Sequence, residues 1–228
     1  MKNVNRIFCS GMALAAIAAM PAVSASGEVI VQYATAGSVT SISPVIENAN
    51  VAADDLTAGP GLNAQTFSTF NFTGWDTAST DFDAAVTAGD FWTWGFEVTG
   101  DDIILETLDT RLDRSGTGPD DVEIQASING APGVTIFTHD YMDSSAGVNF
   151  PGIDISSLGT VTLGDTVVFT LAAFNSESDA GSFDLETLTF PGGTDSLVVN
   201  GTVVPEPASL VLLGLGGVAM LTRRRSQA

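Results

Sequence analysis

Cysteine, histidine and lysine each occur once among the 228 residues of the chain. Cys9 precedes the apolar run of the N-terminal segment, so cleavage after that run leaves a protein without a thiol. Such a protein has no disulfide, no thiolate metal site and no cysteine nucleophile. His139 is the only histidine, and no Gly-x-Ser-x-Gly sequence accompanies it, which argues against a Ser-His-Asp mechanism and against zinc.

Positive charge is also scarce, with 7 basic against 27 acidic residues and a formal net charge of −20. Lys2, Arg6 and Arg223–Arg225 lie near the two ends, which leaves Arg111 and Arg114 for the whole middle of the chain. A surface of this kind repels phosphate backbones, so nucleic acid is excluded as a partner. It attracts divalent cations or basic polymers, and acidity also keeps exported proteins soluble.

The N-terminal segment has the pattern of a secretory signal peptide. Two basic residues precede the apolar run Gly11–Met20, and Val23 and Ala25 are small residues at positions −3 and −1 of a cut before Ser26. Signal peptidase requires small side chains at those positions. The run is too short and ends too abruptly for a membrane anchor, so we expect residues 1–25 to be removed.

The C-terminal segment combines three elements. Pro205, Glu206 and Pro207 form an extended motif because the prolines block helix continuation. Residues 208–222 form an apolar run that predicts a single transmembrane helix, although its 15 residues are fewer than the roughly 20 of a relaxed span. Arg223, Arg224 and Arg225 then hold that end in the cytoplasm.

Together these elements resemble the PEP-CTERM sorting signal of Gram-negative bacteria, on the motif at 204–207, the helix at 208–222 and the arginines at 223–225. The resemblance implies processing near the motif by an exosortase, a membrane transpeptidase. It implies export through the inner membrane, transient anchoring there, and a final place at the cell surface or outside the cell. Proteins with this tail are linked to exopolysaccharide and biofilm. The tail is also labelled an ice-binding protein C-terminal domain, which is no evidence of ice binding. A simple C-terminal anchor would leave the Pro-Glu-Pro motif unexplained.

Residues 26–203, the middle of the chain, are predicted to form an acidic all-β domain. The sorting tail follows as residues 204–228. Phe91–Val98, Val122–Ile128 and Thr166–Phe174 alternate apolar and polar residues, the pattern of half-buried strands. Asn129-Gly130 predicts a hairpin turn. Shorter strands are predicted at 28–34, 38–46, 66–72, 103–112, 134–138, 182–190 and 196–203. About ten strands without a long amphipathic helix predict a β-sandwich of jelly-roll type.

A second and looser resemblance concerns Leu108–Pro119, which is similar to a recurring segment of the β-sandwich ectodomains that precede this tail. It supports the fold and assigns no activity. Within the segment, Arg111 and Arg114 alternate with Asp109 and Asp113, so we expect ion pairs that hold the strand and the turn after it.

The sequence indicates no cofactor, but it is compatible with a bound calcium ion. The candidate ligands are Asp101, Asp102, Asp120 and Asp121, because Asp-rich loops of β-sandwiches supply oxygen ligands to hard cations. No Asp-x-Asp-x-Asp-Gly loop occurs. Paired carboxylates also serve glycoside hydrolases, but adjacent strand residues point to opposite faces, so such pairs do not converge by themselves.

Aromatic residues raise the question of sugar binding. Trp92 and Trp94 share a strand face with other apolar residues, which predicts core packing, whereas Trp75 lies in a loop-like segment and is the candidate for carbohydrate stacking. The leading hypothesis is a non-enzymatic surface or matrix protein handled by signal peptidase and an exosortase. The alternatives are a carbohydrate-binding module acting on exopolysaccharide and, third, a secreted hydrolase.

Overall fold

The computed structural model describes residues 27–35, 39–67, 69–142, 144–188 and 196–205. In chain order its strands are β1 (Glu28–Tyr33), β2 (Ser41–Ile42), β3 (Ile46–Glu47), β4 (Val51–Ala53), β5 (Leu56–Ala58), β6 (Asn63–Ala64), β7 (Phe70–Thr73), β8 (Phe91–Val98), β9 (Asp102–Arg114), β10 (Pro119–Ile128), β11 (Val134–Asp140), β12 (Val148–Asp154), β13 (Thr160–Val161), β14 (Thr166–Ser176), β15 (Phe183–Leu185) and β16 (Leu197–Val204). Helix α1 (Phe82–Ala88) precedes β8, and a 3₁₀ turn (Ser156–Leu158) precedes β13.

The strands form two antiparallel sheets. The first has the order β3-β1-β16-β9-β15-β7-β6, with β12 and β13 also paired to β9. The second has the order β11-β10-β14-β8-β5-β2, with β4 also paired to β8. Eight principal strands, β1, β8, β9, β10, β11, β12, β14 and β16, can be counted one to eight. They then run 1-8-3-6 in one sheet and 2-7-4-5 in the other. This order is that of a jelly roll, so the predicted sandwich class is confirmed.

The core lies between the sheets and follows the alternation of the sequence. β8 has the predicted bounds, and the side chains of Trp92, Trp94, Phe96 and Val98 are all buried. β9 is longer than predicted because Arg114 continues the alternation on the buried face. Apolar burial between two broad sheets supplies the stability that a chain without disulfides needs.

The hairpin after β10 is also confirmed. Asn129 and Gly130 both have positive φ, 54° and 69°, and the Ala131 amide donates to the Ile128 carbonyl at 3.0 Å. Two central residues with positive φ define the turn whose twist matches that of the flanking strands. Asparagine and glycine are the residues that adopt this conformation at low cost.

Helix α1 was not predicted from the sequence. The Asp81 carboxylate accepts from the Ala84 amide at 2.8 Å and caps its N-terminus, while Gly89, at φ 91°, ends it. A capping aspartate and a left-handed glycine are the signals that could have revealed it. The helix has seven residues, too few for a helical period to stand out, and packs against β14.

The sorting elements lie mostly outside the described residues. These are the signal cleavage site at Ala25 and Ser26, Glu206 and Pro207, the predicted transmembrane helix at 208–222, and Arg223, Arg224 and Arg225. Strand β16 continues to Val204, one residue beyond the predicted domain boundary, and Pro205 follows it exposed. In the described part of the chain, no helix has the length and apolar character to span a bilayer.

Candidate functional site

Trp75 is a core residue, and the prediction of an exposed stacking residue is wrong. Its side chain is 0% exposed, and its indole Nε1 donates to the Phe72 carbonyl at 2.9 Å. Its ring packs edge-on against Trp92 and Phe183, with centroids 6.0 and 5.5 Å away. Trp94 is buried as well, so none of the three tryptophans offers a face to a sugar. The loop-like local sequence concealed the fact that the chain turns inward there.

The four aspartates predicted as calcium ligands do not form one site. Asp101 and Asp102 lie at the start of β9, whereas Asp120 makes an ion pair with Arg114, the last residue of that 13-residue strand, and Asp121 is its neighbour. The two pairs are therefore separated by the length of β9, roughly 40 Å at 3.3 Å per residue. Among the described residues, no three carboxylate or imidazole groups converge as a metal-binding group.

The two arginines of the domain do form ion pairs, as predicted, but neither partner is Asp109 or Asp113, the aspartates that alternate with them. Arg111 Nε lies 2.6 Å from Glu186 Oε2. Arg114, whose side chain is fully buried, pairs with Asp120 and donates from Nε to the Ser115 carbonyl at 3.0 Å. The second pair therefore joins the end of β9 to the start of β10, across the turn that the sequence analysis assigned to it.

A row of polar side chains crosses three neighbouring strands of the first sheet. Asp113 on β9 is directly opposite Asp184 on β15, and Asp184 is directly opposite Asn71 on β7. Directly paired residues of antiparallel strands share a face. Phe183 and Leu185 flank Asp184 and belong to the core, so this row lies on the outer face. Asp113, Asp184 and Asn71 are named here the outer polar row.

The outer polar row is largely shielded from solvent although it carries two carboxylates. Asp184 and Asn71 are each 8% exposed. The pKa of Asp184 is raised to about 7, chiefly by burial and also by the nearby charges of Asp113 and Glu186, against hydrogen bonds from Thr69 and Asn71 that lower it. Burial also raises the pKa of Asp113. The charged form of Asp184 is therefore less stable in this row than it would be in water.

We expect Asp184→Asn to flatten the pH dependence of folding stability. The folded pKa lies above the usual 3.8, so the folded state binds more protons than the unfolded state between about pH 4 and pH 7. Stability therefore falls as pH rises through that window, by up to about 1.4 kcal/mol per pH unit from this group. Urea unfolding at intervals of pH measures the slope. Exposed Asp179→Asn is the control, and an unchanged slope in Asp184→Asn would contradict the assignment.

A second polar group lines a surface cavity of about 380 Å³ beside β10 and β11. Asp121 and Asp140 are directly opposite each other there, with His139 adjacent. Both carboxylates are hydrogen-bonded, to the Asn175 amide group at 2.5 Å and to the Met142 backbone N–H at 2.7 Å. Both partners have positive φ, and the Asp140 carboxylate holds the backbone of Met142 in that conformation, whereas Asp121 holds the side chain of Asn175. Burial lowers the pKa of His139, which lies near the end of β11.

The clearest functional signal follows the last strand of the sandwich. Residues 203–225 match the family described as the PEP-CTERM protein-sorting motif. The chain carries a PEP-CTERM sorting motif. The matched segment begins within β16 and includes Pro205, Glu206 and Pro207 as well as Arg223–Arg225. A PEP-CTERM motif implies an exported protein that is anchored in the membrane during sorting and processed by an exosortase.

Other comparisons add little to the PEP-CTERM match. No curated protein matches the sequence. Among solved structures, the C-terminal domain of a chitobiase from Bacteroides fragilis is similar at 12% identity and a TM-score of 0.29, over 70% of this chain and 98% of that one. A likeness at this level is not evidence of a shared ligand.

Proposed function

We propose that the protein is a non-enzymatic surface or extracellular-matrix protein that an exosortase sorts, and that its jelly roll works by adhesion or matrix assembly within exopolysaccharide. The observation that carries the proposal is the sorting motif that begins within the last strand of the domain. The sandwich is the cargo that such a tail would deliver.

The position of β16 supports a role in attachment. β16 lies inside the first sheet, where it pairs with β9 along its whole length and with β1 on its other side. A pull on the chain after Val204 acts parallel to these two ladders. Backbone hydrogen bonds of both neighbours then share the load, so the domain resists being peeled from its anchor.

The proposed route to the surface uses both ends of the chain. Signal peptidase would cut between Ala25 and Ser26, and the helix at 208–222 would then stop in the inner membrane. Arg223–Arg225 would hold the last residues in the cytoplasm. The exposed Pro205 and the two residues after it would lie just outside the inner membrane, on the side away from the cytoplasm, within reach of the exosortase.

Replacement of Pro205–Pro207 by three alanines tests the sorting proposal. In the native host, we expect the variant to keep its full size and stay in the inner membrane fraction, because the enzyme no longer recognises it. Immunoblots of membrane, surface and medium fractions measure size and location. The control replaces exposed Pro132, Pro151 and Glu177, which have the same residue types, and should be processed normally. Normal processing of the motif variant would refute the proposal.

The non-enzymatic assignment draws support from how the carboxylates are used. Asp184 is too buried for a polysaccharide to reach, Asp121 accepts from the Asn175 side chain, and Asp140 accepts from the Met142 backbone N–H. The carbohydrate-binding alternative loses the stacking residue on which it depended, because Trp75 is in the core. An acidic domain with Arg111 and Arg114 as its only cations fits contact with cations or basic polymer in a matrix better than with anionic sugars.

A further inference from the structure

A second row of polar side chains crosses the outer face of the second sheet. Its members are directly opposed from strand to strand, in the order Thr57 on β5, Thr93 on β8, Thr170 on β14, Gln125 on β10 and Thr135 on β11. The strand neighbours of Thr93 and Thr170 all belong to the core, so the row points away from it. These five residues are named here the threonine row. With about 4.8 Å between strands, the row is roughly 19 Å long.

The threonine row lies in a groove. Two cavities, of about 320 and 160 Å³, open on this face and share Val168 as a lining residue. The larger cavity is lined by the first two members of the row, and the smaller cavity by the next two. Phe82 and Val86 of α1 also line the smaller cavity, so the helix forms one of its sides. All five members of the row are at least partly accessible to solvent there.

The threonine row presents hydrogen-bond acceptors. The Thr57 hydroxyl donates to the Thr93 carbonyl at 3.4 Å, and the Thr93 hydroxyl donates to a backbone carbonyl of β14 at 3.1 Å. The Thr135 hydroxyl and the Gln125 amide group both donate to Glu123 Oε1, at 2.7 and 2.9 Å. A hydroxyl has one proton and two lone pairs, so a hydroxyl whose proton is used within the sheet can still accept from outside it. A ligand that suits the row is therefore rich in hydroxyl donors.

The charges on this face disfavour an anionic ligand. Glu123 lies beside the row, and Asp54 and Asp55 line the larger cavity. Arg111 and Arg114, the cations of the domain, both lie on β9 of the first sheet. No positive charge is therefore available on the groove to a carboxylate or sulfate group of a polymer.

We propose that the threonine row binds an uncharged polysaccharide that lies in the groove across the strands of the second sheet. An extended polymer suits a row of this length, because successive sugars meet successive strands and the side chains need not converge on one point. Sugar hydroxyls donate to the oxygens of the row, and Phe82 and Val86 contact the apolar parts of the sugar rings. The inference rests on the proposed role in a polysaccharide matrix and names the face that makes the contact. It requires no exposed tryptophan.

Native electrophoresis through gels that contain a polysaccharide tests binding. The full-length protein, in a detergent without a sugar head group, has a formal net charge of −20, so an uncharged polymer slows its migration only by binding it. The probes are a glucan, a mannan and a galactan, all uncharged, with anionic alginate as the comparison. Relative to a non-binding reference protein, we expect at least one uncharged polymer to slow migration and alginate to have no effect. Migration unchanged by all three uncharged polymers, or slowed equally by alginate, would overturn the proposal.

Variants locate the contact. Thr93→Val combined with Thr170→Val removes two hydroxyls from the row and should weaken binding about tenfold, the effect of losing two hydrogen bonds. The matched control, Thr107→Val combined with Thr160→Val, removes two hydroxyls from strands of the first sheet and should bind like the wild type. Valine is a good strand residue, so both proteins should fold, and urea unfolding checks that they do. Full binding by the row variant would overturn the site and leave the sorting proposal, which Pro205–Pro207 tests, unaffected.

Discussion

Trp75→Ala is expected to lower the free energy of unfolding by about 3–5 kcal/mol, the range for removing a large aromatic side chain from a core. The indole is fully buried, packs against Trp92 and Phe183, and uses its Nε1 to satisfy the Phe72 carbonyl. The substitution creates a cavity and leaves that carbonyl without a side-chain donor. Urea unfolding followed by tryptophan fluorescence or circular dichroism measures the loss.

Phe67→Ala is the matched control for Trp75→Ala, because Phe67 is 61% exposed and should change stability by less than about 0.5 kcal/mol. A Trp75→Ala protein as stable as the wild type would mean that the side chain lies outside the core. The expected instability also affects functional assays. Loss of glycan binding in this variant would report unfolding and could not identify a binding residue.

Asp120→Asn is expected to destabilise the fold by about 3–5 kcal/mol, because it leaves the charge of Arg114 buried without an opposite charge. The side chain of Arg114 is fully buried at the end of β9, and Asp120 is its carboxylate partner at the start of β10. The effect should exceed that of Asp179→Asn, an exposed carboxylate that makes no ion pair within the described residues. Equal effects of the two would show that the ion pair does not hold the two sheets together.

The double variant Arg114→Met with Asp120→Asn separates charge from packing. Methionine fills part of the space and removes the buried cation, so the double variant should be more stable than Asp120→Asn alone. This outcome corresponds to a positive coupling energy in a double-mutant cycle. Additive losses would indicate that Arg114 contributes through its aliphatic packing and not through its charge.

These two predictions concern how a domain without disulfides stays folded. Its stability rests on the aromatic core between the sheets and on one buried ion pair where the chain crosses from the first sheet to the second.

The main strands and the sorting tail could be predicted from local sequence. Phe91–Val98 was predicted with its observed bounds. When one face of a strand is buried, alternating large apolar residues can only be placed with their side chains on that face. The Asn129-Gly130 turn followed from the backbone conformation that only a few residues accept. The tail was predictable because a motif, an apolar run and a basic cluster follow one another in the chain and require no knowledge of the fold.

Only the tertiary structure decided which residues meet. Trp75 lies in a segment with loop-like composition, and its burial depends on β15 and β8, which are distant in sequence. Asp113, Asp184 and Asn71 come from three strands, so no spacing along the chain could bring them together. By itself the sequence determined the sorting motif, the all-β class and the acidic, thiol-free character of the domain, because these depend on local pattern and composition. The core contacts, the ion-pair partners and the outer polar row depend on strand order, which long-range pairing alone determines.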